Sequence, residues 1–184
     1  MVYVALLRGV NVGGKNKIDM KLLKETFQRI GMEAVSTYIN SGNVIFIDMK
    51  HTKEQIKDLL EDAILKDFQL DIKVLVRSMN DFEDMMKLLP EPWTNDENMK
   101  GDVLFLWDEI NREAMPSELR IKPQVDTVIY APGAILWAVD KKNITKSGLM
   151  KLVGTSIYKK MTVRNVNTTR KIYDMMREVH CTRS

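Results

Sequence analysis

Apolar positions along this chain change period from segment to segment, and the changes mark its elements. Val2 to Val10 is an almost unbroken apolar run and predicts a buried strand. Met20 to Ile30 sets Leu23, Phe27 and Ile30 at helical spacing, with Asp19 as N-cap. Ala34 to Ile39 and Val44 to Ile47 are β-rich runs around Asn40-Ser41-Gly42-Asn43, residue types that suit a tight antiparallel turn. Thr52 to Phe68 repeats Ile56, Leu59, Leu60, Ala63 and Ile64 with helix periodicity behind a Thr52 cap, and Ile72 to Val76 closes the segment as a strand. The predicted order is βαββαβ.

A connecting helix from Asp81 to Leu89 and an irregular stretch through Pro90, Pro92 and Trp93 lead into a looser second pass. Its strands are Val103 to Trp107, Thr127 to Ala131, Ile135 to Val139 and Met161 to Val163, with a Pro132-Gly133 hairpin. Helices are predicted near Arg112 to Leu119, from about Ser147 to Tyr158, and from Thr168 to Val179. The expected fold is α+β, two tandem ferredoxin-like units (split βαββαβ, or α/β plaits) with antiparallel sheets. The expected organisation is unit 1 over 1–78, a connecting helix and loop over 79–100, unit 2 over 101–164 and a C-terminal helix over 165–184. The repeat lies in element order, with little residue identity between the halves.

This order has a geometric consequence. The first two strands run parallel with the third antiparallel between them, so the loop after strand one and the hairpin between strands two and three leave the same sheet end. Gly9 to Lys17 and Asn40 to Asn43 are therefore expected to be neighbours.

Composition adds limits. A chain of 184 residues buries roughly 70% of its unfolded surface on folding. Hydrophobic residues make up 45% and charged residues 29%, an ordinary globular balance. No apolar run approaches the roughly 20 residues of a membrane span, and Arg8 cuts the first run short of a signal peptide, so the expectation is a cytoplasmic protein without a membrane partner. Cys181 is the single cysteine, and no Cys/His spacing points to zinc, so neither disulfide nor metal nor cofactor is expected. The net charge of +3 conceals polarity. Lys141 to Lys171 holds nine basic residues and no acid, whereas Asp81 to Glu118 holds eleven acids and three bases. That asymmetry fits an anionic partner; mutual pairing of the two segments is the plain alternative.

Candidate chemistry centres on Arg8-Gly-Val-Asn-Val-Gly-Gly-Lys-Asn16. It stands one residue short of a phosphate-binding P-loop, which needs glycine turns, a lysine, and a hydroxyl for magnesium. Asn16 occupies the hydroxyl position, Asp19 caps the helix too late for its dipole to act on phosphate, and the Val44 to Asp48 run lies in a hairpin rather than a parallel strand. A true P-loop is therefore not expected. The loop retains the makings of an anion site: charge on Arg8, Lys15 and Lys17, donors on Asn11 and Asn16, and a Gly13-Gly14 backbone able to form a nest. A plain glycine turn is the alternative.

Tyr38, Asn40, Ser41 and Asn43 crowd donors around the neighbouring hairpin. A further polar segment, Arg164-Asn165-Val166-Asn167-Thr168-Thr169-Arg170-Lys171, joins a strand to the terminal helix, with Asn167 or Thr168 as N-cap and cations where the dipole disfavours them. An anion bound there would relieve that conflict.

Three motifs carry a family likeness: Arg8-Gly9-Val10-Asn11-Val12-Gly13-Gly14, Thr37-Tyr38-Ile39-Asn40-Ser41-Gly42-Asn43 and Thr162-Val163-Arg164-Asn165-Val166-Asn167-Thr168. Together they resemble the bacterial domain of unknown function 1697 family. The resemblance implies two ferredoxin-like plaits and brings no reaction with it. Asn40 stands where many members have glutamine, and Val166 where an aromatic is common. The leading expectation is a binding protein for a phosphate-bearing ligand, a nucleotide or nucleic acid. Its site would use Arg8, Asn11, Gly13, Gly14, Lys15, Tyr38, Asn40, Ser41, Asn43, Arg164, Asn165, Asn167 and Thr168. The alternatives are an enzyme acting on a phosphorylated metabolite and a module binding protein partners through methionine-rich helices. A sheet-surface RNA reader is disfavoured, since Tyr3 would supply one stacking ring but Ser41 to Asp48 lacks the paired aromatics.

Overall fold

The computed structural model describes residues 1 to 182 and is α+β. Its described residues include two four-stranded antiparallel sheets. They divide into two compact units: unit 1 comprises Met1–Asn80 together with the chain from Ile172 onward, and unit 2 comprises Asp81–Lys171.

Unit 1 runs β1 (Val2–Leu7), α1 (Met20–Arg29), β2 (Glu33–Tyr38), β3 (Asn43–Ile47), α2 (Lys53–Phe68) and β4 (Val74–Ser78), with sheet order β2-β3-β1-β4. Each helix starts where its sequence supplies a cap. Asp19 Oδ1 accepts from the N–H groups of Lys21 (2.8 Å) and Leu22 (3.1 Å). Thr52 and Gln55 form a reciprocal capping box on α2, worth about 1 kcal/mol. The two helices seal one sheet face. Tyr3 and Phe46 stack at 5.9 Å, Phe27 of α1 meets Phe46 edge-on at 5.7 Å, and the fully buried Leu23, Ile56, Leu60 and Ile64 complete the core. Each such side chain contributes roughly 1.5–3 kcal/mol of transfer free energy.

Unit 2 holds α3 (Met79–Leu88, all but its first two residues), β5 (Met99–Leu106), β6 (Thr127–Ala131), β7 (Ala134–Asp140), β8 (Met161–Asn165) and the start of α4 (Val166–Cys181). Its sheet order is β6-β7-β5-β8, the same permutation as in unit 1. Its crossovers differ. The helices expected near Arg112 to Leu119 and from Ser147 to Tyr158 are absent, replaced by short 3-10 turns at Asp108–Ile110, Met115–Glu118, Lys141–Lys146, Leu149–Lys151 and Tyr158–Lys160. Pro116 interrupts the first segment, and Pro123 follows four residues after it. In the second, Gly154 has φ +88°, outside any helix, and a Cβ on Gly148 would lie 1.3 Å from Arg120 O, so that turn packs backbone against backbone.

The chain order across the units is reciprocal. After β4 the chain enters unit 2, where Phe82 stacks on Phe105 at 5.5 Å and Met85 is buried. From Ile172 it returns to unit 1, with Ile172 and Met176 fully buried. Residue identity between the halves is greater than the sequence reading finds. Val76-Arg77-Ser78-Met79-Asn80 and Val163-Arg164-Asn165-Val166-Asn167 share a Val-Arg-x-x-Asn pattern at equivalent places. Arg77 pairs across the sheet with Val4, and Arg164 with Val103. Both arginines are buried, and in each Nη1 donates to the preceding residue's carbonyl, Val76 O at 3.1 Å and Val163 O at 2.9 Å.

Candidate functional site

The glycine loop folds as a small hairpin of its own. Asn11 N–H donates to Asn16 O (3.1 Å) and Lys15 N–H to Val12 O (3.0 Å), leaving Gly13 and Gly14 as a two-residue turn. Their φ angles are +58° and +76°. Two successive positive values suit a tight hairpin turn, whereas a nest alternates sign, so the expected nest is corrected to a hairpin tip. Asn11 and Asn16 also have positive φ, a conformation asparagine tolerates better than other side chains.

Asn11 is the fastener of this end of the sheet. Its Nδ2 donates to Ile18 O and to Asn40 O, each at 2.9 Å, while its Oδ1 accepts from Ile18 N–H at 2.9 Å. Asn16 Nδ2 donates to Gly9 O at 3.0 Å. The two loops that topology makes neighbours do meet: Leu7 N–H donates to Gly42 O at 2.8 Å, and a Cβ on Gly42 would lie 2.7 Å from that of Leu7. Asn43 is fully buried and Nδ2 donates to Tyr38 O (3.1 Å) and Ser41 Oγ (3.0 Å), so it braces the turn from inside. Arg8 and Tyr38 are half-buried and Asn40 is exposed. Gly13, Gly14, Lys15, Asn16 and Lys17 form an exposed tip, with no acid from Arg8 to Ile18. Asp48, at the end of the apolar β3, is buried and spends its carboxylate on Lys50 and His51 N–H and on the His51 ring at 2.9 Å.

The Arg164 segment lies in unit 2 and is built into its fabric. Arg164 sits on β8, with Nη1 also donating to Thr162 Oγ1 at 3.0 Å, and burial lowers its pKa to about 10, which keeps it charged at neutral pH. The N-cap of α4 is Asn165, whose Oδ1 accepts from Thr168 N–H at 2.8 Å, two to three residues earlier than expected. Thr168 is buried and Thr169 Oγ1 donates back to Asn165 O at 3.0 Å. Asn167 takes the Asn95 N–H on Oδ1 (3.2 Å) and donates from Nδ2 to Asn95 O (3.0 Å). Arg170 caps three carbonyls, of Trp93, Pro90 and Glu91. Its guanidinium satisfies a proline-rich loop, which accounts for a cation near a helix start without an anion. No group of three or more metal-ligating side chains occurs among the described residues, and no helix among them is long and apolar enough to cross a membrane.

A family model described as "Protein of unknown function (DUF1697)" matches residues 1–137. The solved structure of the conserved bacterial protein SP0830 from Streptococcus pneumoniae is similar, with a TM-score of 0.81 and 30% identity, over 95% of this chain and 98% of that one. No curated protein matches.

Proposed function

The chain belongs to the DUF1697 family, whose description carries no reaction, and from that premise we propose that the hairpin of unit 1 binds the phosphates of a nucleotide or nucleic acid. The observation that carries this reading is the exposed tip from Gly13 to Lys17, cationic and free of acids, on a base that Asn11 fixes with three hydrogen bonds. A projecting cationic tip suits a phosphate backbone better than a lone mononucleotide, which wants a concave pocket. The single-stranded nucleic acid backbone is accordingly the favoured ligand, with Arg8, Lys15 and Lys17 supplying charge and Asn40 lining the neighbouring turn.

Asn11, Asn43 and Tyr38 act in this reading as framework. Arg164, Asn165, Asn167 and Thr168 stand outside it, because their polar groups serve β8 and the start of α4. The side chains that fasten the loop are amides, Asn11 and Asn16, which suits a binding frame. We read each unit as a ferredoxin-like plait, on the strength of the shared β2-β3-β1-β4 permutation, and the protein as cytoplasmic.

The test is a titration of the protein with a short single-stranded RNA at several salt concentrations. Three phosphate contacts give a log-log salt slope of about −2, and Lys15→Ala lowers it by about 0.7. Absence of binding, or binding indifferent to salt, overturns the proposal; a nucleoside triphosphate that outcompetes the RNA moves the ligand to nucleotides.

A further inference from the structure

Unit 2 contains a cavity of about 220 Å³ on the sheet face covered by its helix-free crossovers. Leu104, Trp137 and Val163, neighbours on β5, β7 and β8, line it from the sheet, and the 149–153 turn and Tyr158 line it from above. Met150 and Val153 of that turn are 44% and 66% exposed, large apolar side chains held at the mouth.

Charge stands on this face where unit 1 has an aromatic ring. Tyr3 lies opposite Phe46 and Asp102 opposite Trp137, each one residue before the valine that faces a buried arginine. In unit 1 the two rings stack and Phe27 closes over them. In unit 2 the Asp102 side chain is 9% exposed and pairs with Lys100 at 2.9 Å, and Lys100 Nζ stands 5.8 Å from the Trp137 ring centroid. The indole is fixed from its other edge: Nε1–H donates to Asp126 Oδ1 at 3.0 Å, and Asp126 also accepts the Ser147 hydroxyl and the N–H groups of Gly148 and Lys122. One buried carboxylate thus orients the ring and ties the covering turn to the sheet.

The arrangement selects a ligand by three properties. Apolar walls and a fixed indole favour a flat ring. A carboxylate already neutralised by an ammonium disfavours an ionic ligand, which would be desolvated without a free counter-charge, and presents an acceptor beside a donor. The volume lies below the roughly 300–1,000 Å³ of sites for drug-sized ligands, so a single ring system fits and a nucleotide does not. We infer that this cavity binds a small neutral planar heterocycle whose N–H and adjacent acceptor pair with Asp102 and Lys100 while its ring lies against Trp137.

The probe is 2-quinolone, a flat lactam with N–H beside C=O, compared with quinoline, the same ring system without that N–H donor. Binding is followed by calorimetry and by the NMR resonance of the Trp137 indole N–H. The expected result is saturable 2-quinolone binding that shifts the Trp137 signal, at least about tenfold weaker binding of quinoline, and a similar loss in Asp102→Asn. Lys100→Gln provides the same reading should Asp102→Asn fail to fold. Lys15→Ala leaves 2-quinolone binding unchanged, which separates this cavity from the phosphate reading of unit 1. No saturable binding, a shift that spares Trp137, or equal affinity for the two probes overturns the inference.

Discussion

Unit 1 and unit 2 share a strand permutation and a buried arginine on the fourth strand, yet they close their sheets by different means. Unit 1 lays α1 and α2 on its sheet over a stack of Tyr3 on Phe46. Unit 2 uses short 3-10 turns held by a buried aspartate, and a cavity remains. Periodic apolar positions supply many contacts per residue to a helix, whereas an irregular crossover depends on a few polar anchors and incomplete cover. The difference shows how one strand order serves a helix-covered sheet in one half and a turn-covered apolar cavity in the other.

Glycine replacements break this comparison most sharply. Gly148→Ala is expected to cost more than about 4 kcal/mol, since its Cβ meets Arg120 backbone. Gly31→Ala in unit 1, with φ +97° but open space around it, is expected to cost about 1–2 kcal/mol. Urea unfolding of both variants checks the order, and equal costs would contradict the backbone packing described for the turn.

Leucine truncations come next. Leu60→Ala, in the sealed core, is expected to lose about 2–5 kcal/mol, and Leu152→Ala, already beside a cavity, under about 2. A Leu152→Ala cost equal to that of Leu60→Ala would mean that unit 2 is packed as tightly as unit 1.

Acid supplies a third contrast. Burial pushes the Asp126 carboxyl up, but hydrogen bonds from Ser147, Lys122, Gly148 and Trp137 together outweigh it and hold the pKa below the ordinary value. The stabilisation is therefore full above the unfolded value of about 3.9 and is lost as pH falls through the lower folded value. Unfolding midpoints of wild type and Asp126→Asn are expected to differ by a constant amount from pH 7 to about 5 and to converge below about pH 4. A difference that grows on acidification would remove Asp126 as the anchor. The smallest effect belongs to the exposed hairpin, where Lys15→Ala is expected to change stability by under about 0.5 kcal/mol in thermal melts.

The sequence displays the sheets well, because alternating and continuous apolar runs record which strand faces are covered. α1 and α2 are legible down to their caps, Asp19 and Thr52. The crossovers of unit 2 are not, since apolar residues between Ser147 and Tyr158 imitate a helix that Gly154, at φ +88°, breaks. The start of β5 is also hidden: Lys100 and Asp102 look like loop residues until their alternation is read as one face of a strand. For the candidate site, topology brings the glycine loop to Asn40, but charge alone does not tell which cations stay exposed. Arg164 and Arg170 carry the same formal charge as Lys15 while one is buried in a strand and the other caps carbonyls. The Val-Arg-x-x-Asn pattern at residues 76–80 and 163–167 was the available signal that Arg164 belongs to a structural repeat.

The return of the chain to unit 1 at Ile172 bears on how the protein emerges from the ribosome. Unit 1 draws on Met1–Asn80, made before unit 2, and on the part of α4 from Ile172, so the fully buried Ile172 and Met176 arrive after every residue of unit 2 has been translated. The 1–80 segment thus waits for residues translated after unit 2, and a stop codon placed after Lys171 would spare unit 2's residues while depriving unit 1 of two fully buried side chains, Ile172 and Met176.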